Sequence, residues 1–450
     1  MDAVVTDLAS LSAAEAARKI ESGEITSQML VQACLDRISE REDTVLAWQH
    51  LDAAYALEQA RARDQWRAEG HSTGPLHGIP VGIKDIIDTG DMPTENGTPA
   101  HAGRTPGDDA TLVAALRDAG AVIMGKTVTT ELAVFHPNKT RNPHNPDHTP
   151  GGSSSGSAAA VADNMIPLAI GTQTGGSVIR PASYCGIVGF KPTHGLISRK
   201  GVLNQSEALD TVGVFGRSVE DAALIADCLT AYDPADRDMW ARSRPQLRAT
   251  ALSEVPVPPM MAFIKGPTWD EADAVTVEAF SELTNALGEQ CDEVDLPAIF
   301  DESIKWQKLI QTADVARNYG PLLDKSPDCL SEGMREMIAE GRKLLAVDYM
   351  MARQFQDILN GGLDEIFERY DVIVTPASPG PAPKGLETTG RPLFNSMWTY
   401  LGVPAVTLPL LEADGLPFGV QLVGRRRDDG RLLRAARWLI DHLSEGATET

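Results

Sequence analysis

Gly151 to Ser177 reads GGSSSGSAAAVADNMIPLAIGTQTGGS, and the fold follows from how that stretch is taken. It holds one Gly/Ser cluster at each end, Gly151–Ser157 and Thr172–Ser177, with small apolar residues between. Glycine lets the backbone approach a ligand closely. Serine hydroxyls attack a carbonyl or relay a proton. Two such clusters brought to one point would supply nucleophile, relay and several backbone N–H groups, the equipment of an acyl-transfer site with an oxyanion hole. Flexible linkers are also rich in Gly and Ser. A linker, however, is not followed by Ala158–Ala162 and Ile166–Ile170, which read as a buried helix and then a short buried strand. A phosphate cradle at a helix N-terminus is the other competitor. No lysine follows the first cluster as a P-loop requires, and no G-x-G-x-x-G occurs.

Toward the N-terminus, Leu76 to Asp85 has strand character punctuated by Gly and Pro, with Lys84 alone inside an apolar run. That run by itself leaves two readings open, a surface lysine that snorkels and a functional one. Asp109–Ala119 predicts a helix and Ala121–Gly125 a strand, an alternation typical of α/β sheets. Residues 9–70 predict helices: Ser12 and Glu15 form a capping box, and Thr26 or Ser27 opens a helix with Leu30, Cys34 and Ile38 on one face. Leu51–Trp66 suits a third. Residues 134–150, crowded with Pro, Asn and His, predict a loop that roofs the site or merely covers the surface.

Toward the C-terminus, strands are expected at Ile187–Phe190, Gly195–Ile197 and Val212–Phe215, followed by a helix from Ser218 to Thr230. Residues 232–258 predict a loop or linker. Helices are expected at 270–288, 303–318, 331–340 and 346–369. Asp371–Pro376 reads as a buried strand and 377–391 as a Pro/Gly loop. Val403–Pro409 and Gly419–Val423 read as closing strands, and Arg431–Leu443 as the last helix. Strands at both ends of the chain predict one sheet and a single domain over 1–450, divided into N-terminal helices (1–70), a motif-bearing core (71–230) and C-terminal helices with closing strands (260–445).

The 450 residues carry a formal net charge of −23, which repels phosphate backbones and argues against a nucleic-acid partner. Cys34, Cys185, Cys228, Cys291 and Cys329 are scattered and odd in number, which suggests reduced thiols and a cytoplasmic location. No signal peptide and no 18-residue apolar run is legible, so neither export nor a membrane is expected. The nine histidines show no metal-binding spacing.

Taken together, Gly78–Asp85, Gly151–Ser157, Gly171–Ser177 and Cys185–Thr193 resemble the amidase signature family of serine hydrolases, whose motifs they match in order. The likeness is dense from about residue 75 to 230, weaker from about 365 to 440 and faint between. It implies an α/β/α sandwich around a mixed, mostly parallel sheet and no cofactor. It further implies Ser177 as nucleophile, Ser153 as a bridging serine after a cis peptide at Gly152, and Lys84 as base. Thr174, Gly175 and Gly176 would form the oxyanion hole, with Gly152, Ser154 and Gln173 in support. Lysine serves as a base only when neutral, and burial is one way to lower its pKa from ~10.4.

Two positions depart from the family pattern. Gln173 stands where members commonly carry Asp, and Ile179 where they commonly carry Arg, with Arg180 one place further on. The expected activity is hydrolysis of small neutral amides, extending to carbamates and esters. Phe135, His136 and Pro137, with Trp306, Met397 and Trp398, are candidates for an apolar pocket wall. A homodimer is left open. Two other readings remain. One is the glutaminase subunit of a tRNA-dependent amidotransferase, a branch that usually has Arg where this chain has Leu196. The other is a non-catalytic scaffold of the same fold.

Overall fold

Eleven short segments join into one sheet in the computed structural model, which describes residues 7–448. In chain order they are β1 (Trp48–Leu51), β2 (Pro80–Lys84), β3 (Val122–Thr127), β4 (Leu168–Gln173), β5 (Val188–Lys191), β6 (Thr211–Gly216), β7 (Met261–Phe263), β8 (Cys291–Glu293), β9 (Val372–Pro376), β10 (Ala405–Ala413) and β11 (Leu416–Gly424). Their spatial order is β1-β3-β2-β4-β6-β5-β10-β11-β9-β7-β8. Helices flank the sheet, and the strands from β2 to β6 are buried along their whole length, so they read as continuous apolar runs rather than alternating ones.

The expected α/β architecture around a mixed sheet is what forms. Parallel pairing occupies two wings, β3-β2-β4 and β9-β7-β8. The six ladders in the middle and at β1 are antiparallel, so the description "mostly parallel" fits the wing that carries Lys84 and not the centre. The cause is local. β10 and β11 are joined by a hairpin through Asp414-Gly415, both at positive φ, and hairpin strands can only pair antiparallel.

Most expected elements are present. Ser12 caps the helix Ala13–Ser22 by accepting from Glu15 N at 3.1 Å. Thr26 caps Ser27–Val45, whose Leu30, Cys34 and Ile38 are buried. The expected strand at Gly195–Ile197 does not form. Gly195 has φ +75° and a turn closes from Leu196 N to Thr193 O at 3.0 Å. A Cβ at Gly195 would lie 2.3 Å from Asp238 O, so the chain bends there around residues 236–240. The three-residue strands β7 and β8 and the helices Ile179–Cys185 and Ser396–Tyr400 carry too few residues for a periodic signal.

β2 and β4 run parallel with Ile83 beside Ile170. Lys84 and Gln173, the last residues of those strands, therefore emerge at the same edge of the sheet. The carboxyl ends of parallel strands are where α/β sheets bind ligands.

Candidate active site

The buried helix Ser155–Ala162 explains the first Gly/Ser cluster. A Cβ at Gly156 would lie 2.2 Å from Ala47 O, so glycine alone lets this helix press against its neighbours. The serines beside it are tied to backbone. Ser155 Oγ donates to Gly151 O at 2.8 Å, and Ser157 Oγ donates to Ile170 O at 2.9 Å. Ser154 Oγ donates to Thr172 O and accepts from Thr172 N, both at 3.2 Å, which staples the helix start to β4. Ser153 is thus held just ahead of the helix, after a cis peptide bond from Gly152.

Lys84 has no exposed surface. Its Nζ lies 2.7 Å from Ser153 Oγ and 2.8 Å from Thr172 Oγ1. Burial holds its pKa well below the usual lysine value, and the Asp210 carboxylate opposes that shift. Lys84 Nζ donates to both hydroxyl oxygens, Ser153 Oγ and Thr172 Oγ1. The surface-lysine reading is therefore excluded by the burial.

The second cluster wraps the end of β4. Ser177 is half-buried, and neither its hydroxyl nor its N–H makes a hydrogen bond among the described residues. The N–H groups of Gly175 and Gly176 likewise have no partner there. Other residues hold the loop through its carbonyls: Thr399 Oγ1 donates to Gly175 O at 2.6 Å, and Gln307 Nε2 donates to Thr174 O at 3.1 Å. Gln173 is fully buried. Its Oε1 accepts from Val178 N at 2.8 Å and Ile179 N at 3.0 Å, and its Nε2 donates to Thr399 Oγ1 at 2.9 Å. A neutral amide does here by donor and acceptor what a carboxylate could do only by accepting.

Arg180 is 2 % exposed and has no carboxylate partner among the described residues. Its Nη2 donates to Gly152 O at 2.7 Å and its Nε to Thr389 O at 2.8 Å. Burial lowers its pKa to about 10, which leaves it cationic at neutral pH. Arg180 thus ties the peptide before Ser153 to the 377–391 loop. Cys185 is buried, its thiol pKa pushed up by desolvation, as befits a packing residue.

A cavity of about 530 Å³ opens beside the loop and shares Gln307, Pro392 and Ser396 with its surroundings. Phe135 and His136 stand exposed at its wall, with Pro137. Trp398 does not line it. It is 2 % exposed and packs in the core with Met397, bordering only a small void of about 10 Å³. Trp306 stacks on Phe355 with 5.3 Å between ring centroids, away from the cavity lining.

Sequence reasoning missed Asp210, Thr172, Thr399 and Gln307. Asp210 sits just before β6 and accepts from Thr174 Oγ1 at 2.6 Å, from Gln205 N at 2.8 Å and from Ser206 N at 2.9 Å. Burial pushes its pKa up to about 6. Thr172 lies inside the Gly151–Ser177 stretch, one residue before Gln173, and that position was the available signal. The other three reach the site from 33 or more positions beyond Ser177 and carry no local signature. Among the described residues no group of three metal-ligating side chains occurs, and no helix is long and apolar enough to cross a membrane.

Comparison with known proteins places these features in context. The pattern of the Amidase family matches residues 29–433. The glutamyl-tRNA(Gln) amidotransferase A subunit of Chloroflexus aggregans is 32 % identical, over 96 % of each chain. Native peptide amidase from Stenotrophomonas maltophilia superposes with a TM-score of 0.82 at 30 % identity, covering 97 % of this chain and 96 % of its own. A chain from a vestigial protein complex bearing on the origins of an s-triazine catabolic enzyme superposes at 0.89 with 26 % identity, covering 96 % of this chain and 98 % of its own.

Proposed function

The chain belongs to the amidase family, whose enzymes hydrolyse C–N bonds, and from that premise we propose that it cleaves small neutral amides through a covalent acyl-enzyme. The observation that carries the proposal is the fully buried Lys84 with Nζ 2.7 Å from Ser153 Oγ, at the sheet edge where the Ser177 loop also begins. Neutral Lys84 takes the proton of Ser153 as Ser153 takes that of Ser177. Ser177 Oγ attacks the carbonyl carbon, and the N–H groups of Thr174, Gly175, Gly176 and Ser177 receive the oxyanion, those of the last three having no partner among the described residues. Collapse of the tetrahedral intermediate breaks the C–N bond, and the proton returns through Ser153 to the departing amine. Water then follows the same route to release the acid.

A carbamate presents the same sp² carbonyl and an alcohol that leaves readily, so urethane and ester cleavage belong to the same proposal. The cavity rim supports uncharged substrates. Among the described residues Glu336, Glu340 and Glu387 have no ion-pair partner, Arg391 is engaged by Glu271 at 2.8 Å, and Lys308 is the remaining cation of the rim. A free carboxylate is disfavoured by that balance.

The curated relatives favour a second reading, the glutaminase-bearing subunit of an amidotransferase, because their similarity spans almost the whole chain. One set of measurements separates the two. Turnover of anilides, aryl carbamates, esters and glutamine is compared on the isolated chain, with fluorophosphonate labelling mapped by mass spectrometry. We expect the label on Ser177, none on the Ser177→Ala protein, and a higher kcat/KM for the neutral anilide than for glutamine. A preference for glutamine, or partner subunits co-purifying from cells, would establish the second reading instead. Turnover by Ser177→Ala would refute the acyl-enzyme mechanism.

A further inference from the structure

Helix Ser303–Lys325 lays Gln307 and Gln311, one turn apart, along the cavity wall. They are 3 % and 6 % exposed. Gln307 uses both amide hydrogens, one on Thr174 O at 3.1 Å and one on Gln311 Oε1 at 3.2 Å. Among the described residues this leaves Gln307 Oε1 without a donor and both hydrogens of Gln311 Nε2 without an acceptor. Neither atom is among the fully sealed polar atoms left without a partner, and both residues line the cavity. The protein therefore presents an unused neutral donor in a nine-tenths buried setting, linked by one amide to the carbonyl of Thr174. A ligand that displaces water from such a donor must replace the hydrogen bond or bind poorly. The replacement is a neutral acceptor, since the unpaired Glu336, Glu340 and Glu387 at the rim disfavour an anion.

We propose that Gln311 recognises a second carbonyl, of amide or carbamate type, carried by the substrate beyond the bond that is cleaved. Gln307 acts as the positioning residue between this subsite and the oxyanion loop. The inference rests on the amidase reading and narrows it to substrates with repeated amide or carbamate groups. Physical continuity supports it: a Cβ at Gly175 would sit 3.7 Å from Pro392 and from Ser396, both of which line the cavity.

The test compares two anilides of equal acyl length, one a plain alkanoyl anilide and one with an internal carboxamide in its acyl chain. Dissociation constants are measured by calorimetry on the Ser177→Ala protein with and without Gln311→Leu, and kcat/KM on the proteins that retain Ser177. We expect the carboxamide compound to be preferred by about 3–10-fold, the worth of one hydrogen bond, and the preference to fall to near unity in Gln311→Leu. Gln311→Glu, nearly isosteric and without the donor, should lose it as well and covers the case in which Gln311→Leu does not fold. The ratio between substrates is the readout, because a merely structural defect lowers both alike. An unchanged ratio in the variants, no preference in the parent, or no binding of either compound overturns the subsite. Preferential binding without turnover by the Ser177-containing protein would instead sink the amidase reading and leave the subsite standing.

Discussion

In the proposed mechanism Lys84 is a base only while it is neutral, and its environment sets two opposing effects. Complete burial lowers its pKa, whereas the Asp210 carboxylate stabilises the ammonium form and raises it. The sign follows directly: the rate should climb with pH as Lys84 deprotonates, and Lys84→Ala should flatten that limb and slow amides more than esters. Removing the Asp210 charge removes the effect that raises Lys84. Asp210→Asn should therefore move the midpoint of the limb to lower pH, read from kcat/KM against pH normalised to each plateau. A midpoint that stays put or moves up would show that Asp210 does not act on Lys84 electrostatically. Arg180 poses a different problem, since a buried guanidinium with two backbone carbonyls and a hydroxyl as acceptors is held by hydrogen bonds alone. Hydrogen bonds to a charged group contribute about 1.5–3 kcal/mol each. Arg180→Met should lower both kcat and Tm, whereas a surface arginine would change neither.

The segment from β4 through the helix Ile179–Cys185 works as one element. Gln173 caps that helix from the preceding strand and reaches Thr399, which in turn holds Gly175 O. Gln173→Ala leaves two buried N–H groups unpaired and frees the loop, so kcat should fall by about 10²–10³, the loss typical of one misaligned oxyanion donor. Activity within a few-fold of the parent would mean that the loop keeps its shape without the amide. The two loop glycines should respond differently. A Cβ at Gly175 meets nothing closer than 3.7 Å, but one at Gly176 would lie 2.4 Å from Asn395 Oδ1 and 2.9 Å from Pro392 Cβ. Gly175→Ala should fold normally. Gly176→Ala should cost about 1–3 kcal/mol by overpacking, a difference that denaturant titration resolves.

Across the whole molecule, the start of the last helix is bound back to the motif region. Asp429, 3 % exposed, accepts from Thr193 N at 2.7 Å and Thr193 Oγ1 at 2.6 Å over 236 positions of sequence. Nearby, Lys191 is fully buried and donates to Val403 O at 2.6 Å, with burial lowering its pKa to about 7. These contacts close the sheet centre, where β5 pairs with β10. Asp429→Ala strands two buried donors at about 1–3 kcal/mol each. A clear drop in Tm is expected, with turnover at 25 °C little changed because the substitution lies in the frame rather than in the loop that carries Ser177. An unchanged Tm would show that the frame does not depend on this tie.

The motif residues Lys84, Ser153 and Ser177 were legible through the resemblance of their motifs; around Ser153 the local reason is visible, since a Cβ at Gly151 or Gly156 would strike backbone and Ser154 ties a helix start to β4. The burial of Lys84, by contrast, follows from β2 lying between β3 and β4, a pairing of strands that no local pattern encodes. The long helices were legible too, since periodic burial over three or more turns leaves its mark in the residues. β7 and β8 were not, because three residues carry no period and are strands only through pairing. The cavity lay out of reach for the same reason. Phe135 and Trp398 have equal apolar character, yet one is half exposed and the other enclosed, and only packing decides which. Asp210, Gln307 and Gln311 acquire their roles when distant elements converge on the Thr174 carbonyl and hydroxyl. Sequence alone marked the proposed reacting groups, because their chemistry and spacing are local; tertiary structure decided their burial, their supports and the shape of the pocket, because desolvation and contact depend on what the rest of the chain brings to that sheet edge.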